Sequence, residues 1–256
     1  MPDRLAIGKS WFLKKGWKPF PFQIEAWHNY LEGYNGMVNA PTGSGKTYSL
    51  IIPILIEALE NQPDGSRGLQ AIWITPIRAL AKEIQYASEK AIRDLGLPWE
   101  VGIRSGDTSL ATRKRQQEKP PQLLITTPES LHLLIAQRGY HKYFEHVKVV
   151  VADEWHELIG SKRGVQVELA LSRLKTVARK LKVWGISATI GNMDQSLQVL
   201  LGSYHKKGKF KVVKANIEKR IEIHSIMPSD HQKLPWTGHV GIHLLDKVVD
   251  IIKKSS

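Results

Sequence analysis

No cysteine occurs anywhere in the 256 residues. Disulfides and thiolate metal sites are therefore excluded. Stability must come from packing, and a chain of this length can bury an adequate core without staples. Long apolar runs are missing too. The longest aliphatic stretch, Leu50 to Leu59, is interrupted and too short to span a bilayer. Met1 to Phe20 holds no apolar run of signal-peptide type. These absences point to a soluble, cytoplasmic protein with no membrane partner. Negative charge is also scarce. Thirty-seven Lys and Arg stand against 24 Asp and Glu, a net charge of +13. An excess of this size favours a polyanion, because basic side chains release counterions from a phosphate backbone. Part of the excess is clustered. Arg113, Lys114, Arg115 and Lys119 lie together, and so do Lys206, Lys207, Lys209, Lys211, Lys214, Lys219 and Arg220. The first group could be an exposed helix face and the second a solvated linker.

What is present is an alternation of short β-type runs with longer helical patterns. Strands are predicted at Met37–Asn39, Ala71–Thr75, Val101–Arg104, Leu123–Thr126, Val147–Ala152 and Val183–Ser187. Helices are predicted at Thr47–Leu59, Arg78–Leu95, Ser109–Glu118, from Pro128, at Val165–Leu181 and at Asn192–Leu201. Such alternation implies a parallel, doubly wound α/β sheet with helices on both faces, with ligands at the carboxyl ends of the strands. Beyond Gly202 the pattern changes. Lys209–Val213 and Ile221–Ile226 read as extended, Pro228 to Gly241 as loop and Ile242–Ile252 as an amphipathic helix.

Ala40-Pro41-Thr42-Gly43-Ser44-Gly45-Lys46-Thr47 sits between a strand and a helix. Glycines there let successive N–H groups face phosphate oxygens, and the helix adds its positive end. In that reading Thr42, Gly43, Ser44, Gly45, Lys46 and Thr47 cradle ATP. Lys46 reaches the β- and γ-phosphates, and the Thr47 hydroxyl ligates Mg2+. The strict pattern starts with Gly, where this loop has Ala40. Asp153-Glu154-Trp155-His156 follows the most apolar strand. Two adjacent carboxylates there call for a cation. Asp153 would hold the metal, and Glu154 would orient and deprotonate the attacking water. His156 either relays the state of the γ-phosphate or is a packing histidine. Ser187-Ala188-Thr189 closes the next strand, where Ser187 and Thr189 either couple the acidic box to other parts or simply end the strand.

Together these motifs resemble superfamily-two helicases of the DExH type, over roughly residues 5 to 202, as a first RecA-like lobe with the P-loop NTPase fold. Phe20-Pro21-Phe22-Gln23 looks like the adenine-reading Q motif of that family. By the resemblance, Gln23 contacts the adenine edge, and Phe20 or Trp17 stacks on the ring. Thr75 to Leu80, Ser105 to Thr108 and Thr126 to Leu131 look like the motifs that grip one nucleic-acid strand. Arg78, Ser105, Gly106, Thr108, Thr127, Pro128 and Glu129 are the implied contacts. Their hydroxyls, Arg78 and backbone N–H groups can donate to phosphates. None carries a base-reading pattern, so sequence-independent binding is expected.

The runs Asp153 to Leu158 and Asn39 to Thr47 resemble the large-helicase-related family, whose bacterial branch includes ligase-associated DExH helicases of DNA damage response. That implies DNA as substrate, ATP-driven translocation and a DNA ligase or nuclease partner. A DEAD-type RNA helicase would show Ala-Asp where Trp155-His156 stands, which argues against RNA, although DExH proteins acting on RNA exist. The expected division is a RecA-like domain over 1–208, followed by a linker and the start of a second such domain over 209–256. The family draws its charge-stabilising arginines from that second lobe, so binding without appreciable hydrolysis is expected of this chain alone. A non-unwinding translocase and a nucleotide-gated adaptor are the competing readings.

Overall fold

The computed structural model describes residues 4–61, 68–188, 190–207, 209–217 and 244–254. The chain divides into two units, Met1–Ile217 and Glu218–Ser256. In chain order the first unit contains α1 (Leu5–Lys14), α2 (Pro21–Leu31), β1 (Asn35–Asn39), α3 (Tyr48–Asn61), β2 (Ala71–Ile74), α4 (Arg78–Asp94), β3 (Val101–Arg104) and α5 (Leu110–Glu118). It continues with β4 (Leu123–Thr126), α6 (Pro128–Ile135), α7 (Tyr140–Phe144), β5 (Val149–Ala152), α8 (Trp155–Leu158), α9 (Lys162–Val177), β6 (Lys182–Ser187), α10 (Met193–Leu201) and β7 (Phe210–Lys214). The described part of the second unit holds α11 (Leu245–Lys254).

The strands form one sheet in the order β3-β4-β2-β5-β6-β1-β7, and every pairing is parallel. Parallel neighbours cannot be joined by a tight turn, so each connection must cross a face. The side-chain alternation of the strands then divides the interior in two. Val149 and Val151 of β5, with Ala71 and Trp73 of β2, pack beneath α1 to α4. Val150 and Ala152, with Ile72 and Ile74, pack beneath α6 to α10. Strands covered on both faces read as unbroken apolar runs, which is why β5 is the most apolar segment of the chain.

Several helices start on local signals. Ser109, Thr127, Ser161 and Asn192 each accept a backbone N–H as side-chain caps, and Pro128 occupies the first turn of α6. The sequence reading had not assigned α1, α2 or α7. Ile221–Ile226 and Pro228 to Gly241 lie outside the described residues, as does Thr189. The largest revision concerns Lys209–Val213, expected in a linker. Phe210–Lys214 instead pairs with β1 along its length, from Asn35↔Phe210 to Asn39↔Lys214. Val213 joins one core, while Phe210 and Val212 pack against the other. The first unit therefore runs to Ile217, nine residues past the expected boundary. Lysines along this edge strand also protect it from pairing with another chain.

Gly36 shows how closely β7 approaches. A Cβ there would strike the Lys211 carbonyl oxygen and come within 2.9 Å of the Trp184 ring. Gly36→Ala should cost about 1–3 kcal/mol through overpacking, lowering the melting temperature by roughly 5 °C. A thermal melt followed by circular dichroism checks this, and an unchanged midpoint would contradict the close approach.

Candidate nucleotide site and nucleic-acid interface

The sheet order places the phosphate loop, after β1, and the acidic box, after β5, on either side of β6. The loop is shaped by two left-handed glycines, Gly43 at φ 76° and Gly45 at φ 75°. Ser44 Oγ donates to the Pro41 carbonyl at 2.6 Å. Gln23 is buried, and its amide is engaged twice. Its Oε1 accepts from Phe20 N–H at 2.9 Å, and its Nε2 donates to the Gly45 carbonyl at 3.0 Å. Gln23 thus ties the first turn of α2 to the phosphate loop. Each end of the amide keeps one further hydrogen-bonding position, a second N–H and a second lone pair. Phe20 and Trp17 are both substantially exposed, and Phe20 stacks on Phe22. Thr42 lies in the loop, and Thr47 closes it, with the Thr47 carbonyl accepting from Ile51 N–H as α3 begins.

The buried Lys46 ammonium lies 3.3 Å from Glu154 Oε1. Glu154 has φ 47° and is the one non-glycine residue with positive φ among those described. Such a backbone costs about 1–3 kcal/mol and is retained where the surroundings enforce it. Here Asp153 does so. Its Oδ1 accepts the Glu154 N–H at 2.9 Å, and its Oδ2 accepts the Trp73 indole N–H at 3.1 Å. Burial, against the opposing pull of the Trp73 bond and with the push of the Glu154 charge, leaves the Asp153 carboxyl raised to about 6. Glu154 Oε2 is buried without a hydrogen bond, 3.4 Å from His156 Nδ1. His156 Nδ1 lies 3.0 Å from Ser187 Oγ, and Ser187 is fully buried. The Ser187 carbonyl accepts Ala40 N–H at 3.0 Å, and Asn39 Nδ2 donates to the Ala188 carbonyl at 3.1 Å. The end of β6 therefore touches both the loop and the acidic box.

A buried carboxyl group and a partly buried one with an unbonded oxygen, beside a lysine and a glycine-shaped loop, fit a polyphosphate with its divalent cation. A cation would satisfy the charge that burial resists on Asp153, and phosphate oxygens would satisfy Lys46.

The motifs expected to grip a strand follow β3, β4 and β2, which are consecutive at the other half of the sheet. Arg78 reaches across to Asp107 at 2.6 Å, with both side chains mostly exposed, so exchange for a phosphate costs little. Several other side chains of these motifs also build the loops themselves. Thr108 Oγ1 accepts from Ser105 N–H and contacts the Ile103 carbonyl. Thr127 Oγ1 caps α6 beside Pro128, and Glu129 is held by Arg163 at 2.7 Å. Arg113 donates to the Ser105 and Gly106 carbonyls at 3.1 and 2.8 Å. The sequence pattern allows Arg113 to be part of an exposed helix face, whereas it fastens this turn.

Trp73 was missed as well. A signal existed, because an indole N–H inside an apolar strand needs an acceptor, and the acid at the end of the neighbouring strand is the nearest candidate in sequence logic. Trp155, by contrast, is anchored by donation to the Ser196 carbonyl at 3.1 Å.

Sheet order, phosphate loop and acidic box define a RecA-like nucleoside-triphosphatase lobe. The family description for DEAD/DEAH box helicases matches residues 20–196, and the chain belongs to that family. It is 33% identical to ATP-dependent helicase Lhr-Core of Methanothermobacter thermautotrophicus, over 86% of this chain and 27% of the relative. It is 33% identical to a Mycolicibacterium smegmatis protein named Lhr helicase/probable uracil glycosylase, over 77% of this chain and 14% of that one. The chain thus spans about a quarter or less of the length of these curated relatives. A structure of Mycobacterium smegmatis helicase Lhr bound to ssDNA and AMP-PNP superposes with a TM-score of 0.80 at 27% identity, covering 98% of this chain and 33% of that one. The resemblance to large-helicase-related proteins agrees with these relatives. No described helix is long and apolar enough to cross a membrane.

Trp73→Phe removes the N–H while keeping an aromatic ring. Partners that orient metal ligands typically matter by about 10–100-fold. The Mg2+ concentration needed for half-maximal nucleotide binding should rise by about tenfold, as read by a fluorescent analogue. A melting curve alongside separates this from lost stability, and an unshifted Mg2+ titration would exclude a positioning role.

Proposed function

We propose that this chain is the ATP-binding motor lobe of a DNA helicase that couples ATP hydrolysis to movement along a strand and acts in DNA repair. What carries the reading is the convergence of Lys46, Asp153 and Glu154 on one half of a sheet whose other half bears the loops around Arg78, Ser105, Gly106 and Thr127. Lys46 would bind the β- and γ-phosphates, and Thr47 with Asp153 would hold Mg2+. The ion, when bound, neutralises charge on those phosphates. A phosphate at Lys46 would release Glu154 from its present ion pair, freeing the carboxylate to orient water and take its proton. His156 and Ser187 would pass that change toward β6. Thr189 is assigned to the same coupling role on resemblance alone.

DNA is favoured by the Lhr relative, whose structure holds ssDNA, and by Trp155-His156. A DNA ligase or nuclease is the partner class implied by the resemblance. Residues 218–256 would begin a second RecA-like lobe. By the resemblance, the arginines that stabilise charge on the transferring phosphoryl group come from the second lobe. An absent arginine finger costs ~10³–10⁵ in rate, so turnover by this chain alone should be near background.

A fluorescent ATP analogue with Mg2+, titrated with and without single-stranded DNA while phosphate release is recorded, tests this. Lys46→Ala should abolish nucleotide binding. Wild-type turnover should barely exceed that of Glu154→Gln. Robust DNA-stimulated turnover, lost in Glu154→Gln, would show that the chain completes its own catalytic site and would sink the half-site argument.

A further inference from the structure

The nucleotide and strand loops all follow the carboxyl ends of the strands. At the amino ends lies a second concentration of charge. Glu57, Arg179, Lys180, Lys182, Tyr204 and Lys209 line a cavity of about 430 Å³. Lys182 opens β6, and Lys209 directly precedes β7. Glu57 supplies the one carboxylate of this lining, and it is already committed. Lys182 Nζ lies 2.7 Å from it, and Tyr30 OH donates to it at 2.8 Å. Among the described residues no carboxylate pairs with Arg179, Lys180 or Lys209. The cavity therefore keeps a net positive charge.

Four ammonium groups in and beside the cavity lie against tyrosine rings. The Lys209 and Lys211 ammonium groups lie 5.4 and 5.1 Å from the Tyr34 ring centroid. Lys175 lies 4.3 Å from that of Tyr204, and Lys182 lies 3.6 Å from that of Tyr30. Three tyrosines thus hold four ammonium groups in place through their ring faces. Order imposed on like charges raises their mutual repulsion, and an anion would relieve it. Lys209 and Lys211, two lysines of the sequence cluster read as a solvated linker, are part of this array.

The row runs across β6, β1 and β7, three neighbouring strands and so about 10 Å. That width suits about two or three phosphates of one strand. A phosphodiester backbone fits better than a single small anion, which would leave part of the row unneutralised. The one side-chain amide of the lining, Asn35, is engaged by the Lys209 carbonyl and the Val183 N–H, so recognition would ignore sequence.

We propose that this cavity is a second binding site for the sugar–phosphate backbone of a nucleic-acid strand, behind the motor lobe. The proposal rests on the reading of the chain as a nucleic-acid motor. The two sites lie at opposite ends of strands about 17 Å long. A long strand could engage both, and a short one only the front.

The test uses the whole chain and labelled single strands, one short and one long, with binding read by fluorescence anisotropy over a range of KCl concentrations. The variant is Arg179→Ala/Lys180→Ala/Lys209→Ala, which touches exposed side chains away from the nucleotide site. For the long strand, the salt dependence of log K should become shallower by about 2, from about 0.7 per lost phosphate contact. Long-strand affinity should fall toward that of the short strand. Short-strand affinity and binding of a fluorescent ATP analogue should stay unchanged, whereas Arg78→Ala should weaken both strands. Long-strand binding that ignores the triple substitution overturns this proposal and leaves the proposed function standing. No binding of either strand by the wild-type chain overturns both. If a poly-glutamate peptide binds the wild type tightly and the variant weakly, while the strands do not discriminate, the cavity serves a protein partner and the proposal fails.

Discussion

The contact between the Lys46 ammonium and the Glu154 carboxylate is the constraint around which the first unit is organised. Both charges are largely withdrawn from water, and such a pair persists only when the geometry around it is tightly held. The holding is visible on each side. Gln23 ties the phosphate loop through the Gly45 carbonyl. Asp153 fixes the Glu154 backbone, and Trp73 fixes Asp153. Between the two sides, the end of β6 accepts from Ala40 and places Ser187 against His156. A ligand that replaces either partner of the ion pair will therefore be felt along all of these links.

The sheet has two halves. β5, β6 and β1 carry the acidic box, Ser187 and the glycine-shaped loop, and β3, β4 and β2 carry the loops around Ser105, Thr127 and Arg78. The seam between the halves is the β2–β5 pair, joined by four residues in register. The Trp73–Asp153 bond crosses that seam. Trp73 lies two residues before Thr75, where the loop leading to Arg78 begins. Through it, the loop end of one half and the Asp153 carboxylate of the other are joined by one hydrogen bond.

Much of this was legible in the sequence because it depends on local patterns. Strand–helix alternation predicts the parallel sheet. The glycines at 43 and 45, and the acids after β5, predict the site, since both sit where chain chemistry alone demands them. Other features were hidden because they depend on which segments meet. Thr108 and Thr127 offer hydroxyls that could face phosphate, and only the fold shows them closing turns and caps. Arg113 looks like one of several helix-face cations until α5 folds back on the Ser105 turn. The placement of Phe210–Lys214 beside β1 turns on a glycine, Gly36, nearly 175 residues upstream. The bonds of Gln23 to the phosphate loop and to its own helix start likewise depend on which segments meet.

Glu154 carries a further consequence for anyone who would engineer this chain. Its left-handed backbone suits glycine or asparagine better than glutamate. A procedure that optimises each residue for its local conformation would replace it and would gain thermal tolerance. The same change would delete the carboxylate that faces Lys46. This position marks a trade between durability and chemistry, and variants selected for heat resistance alone should drift toward inert proteins with an intact fold.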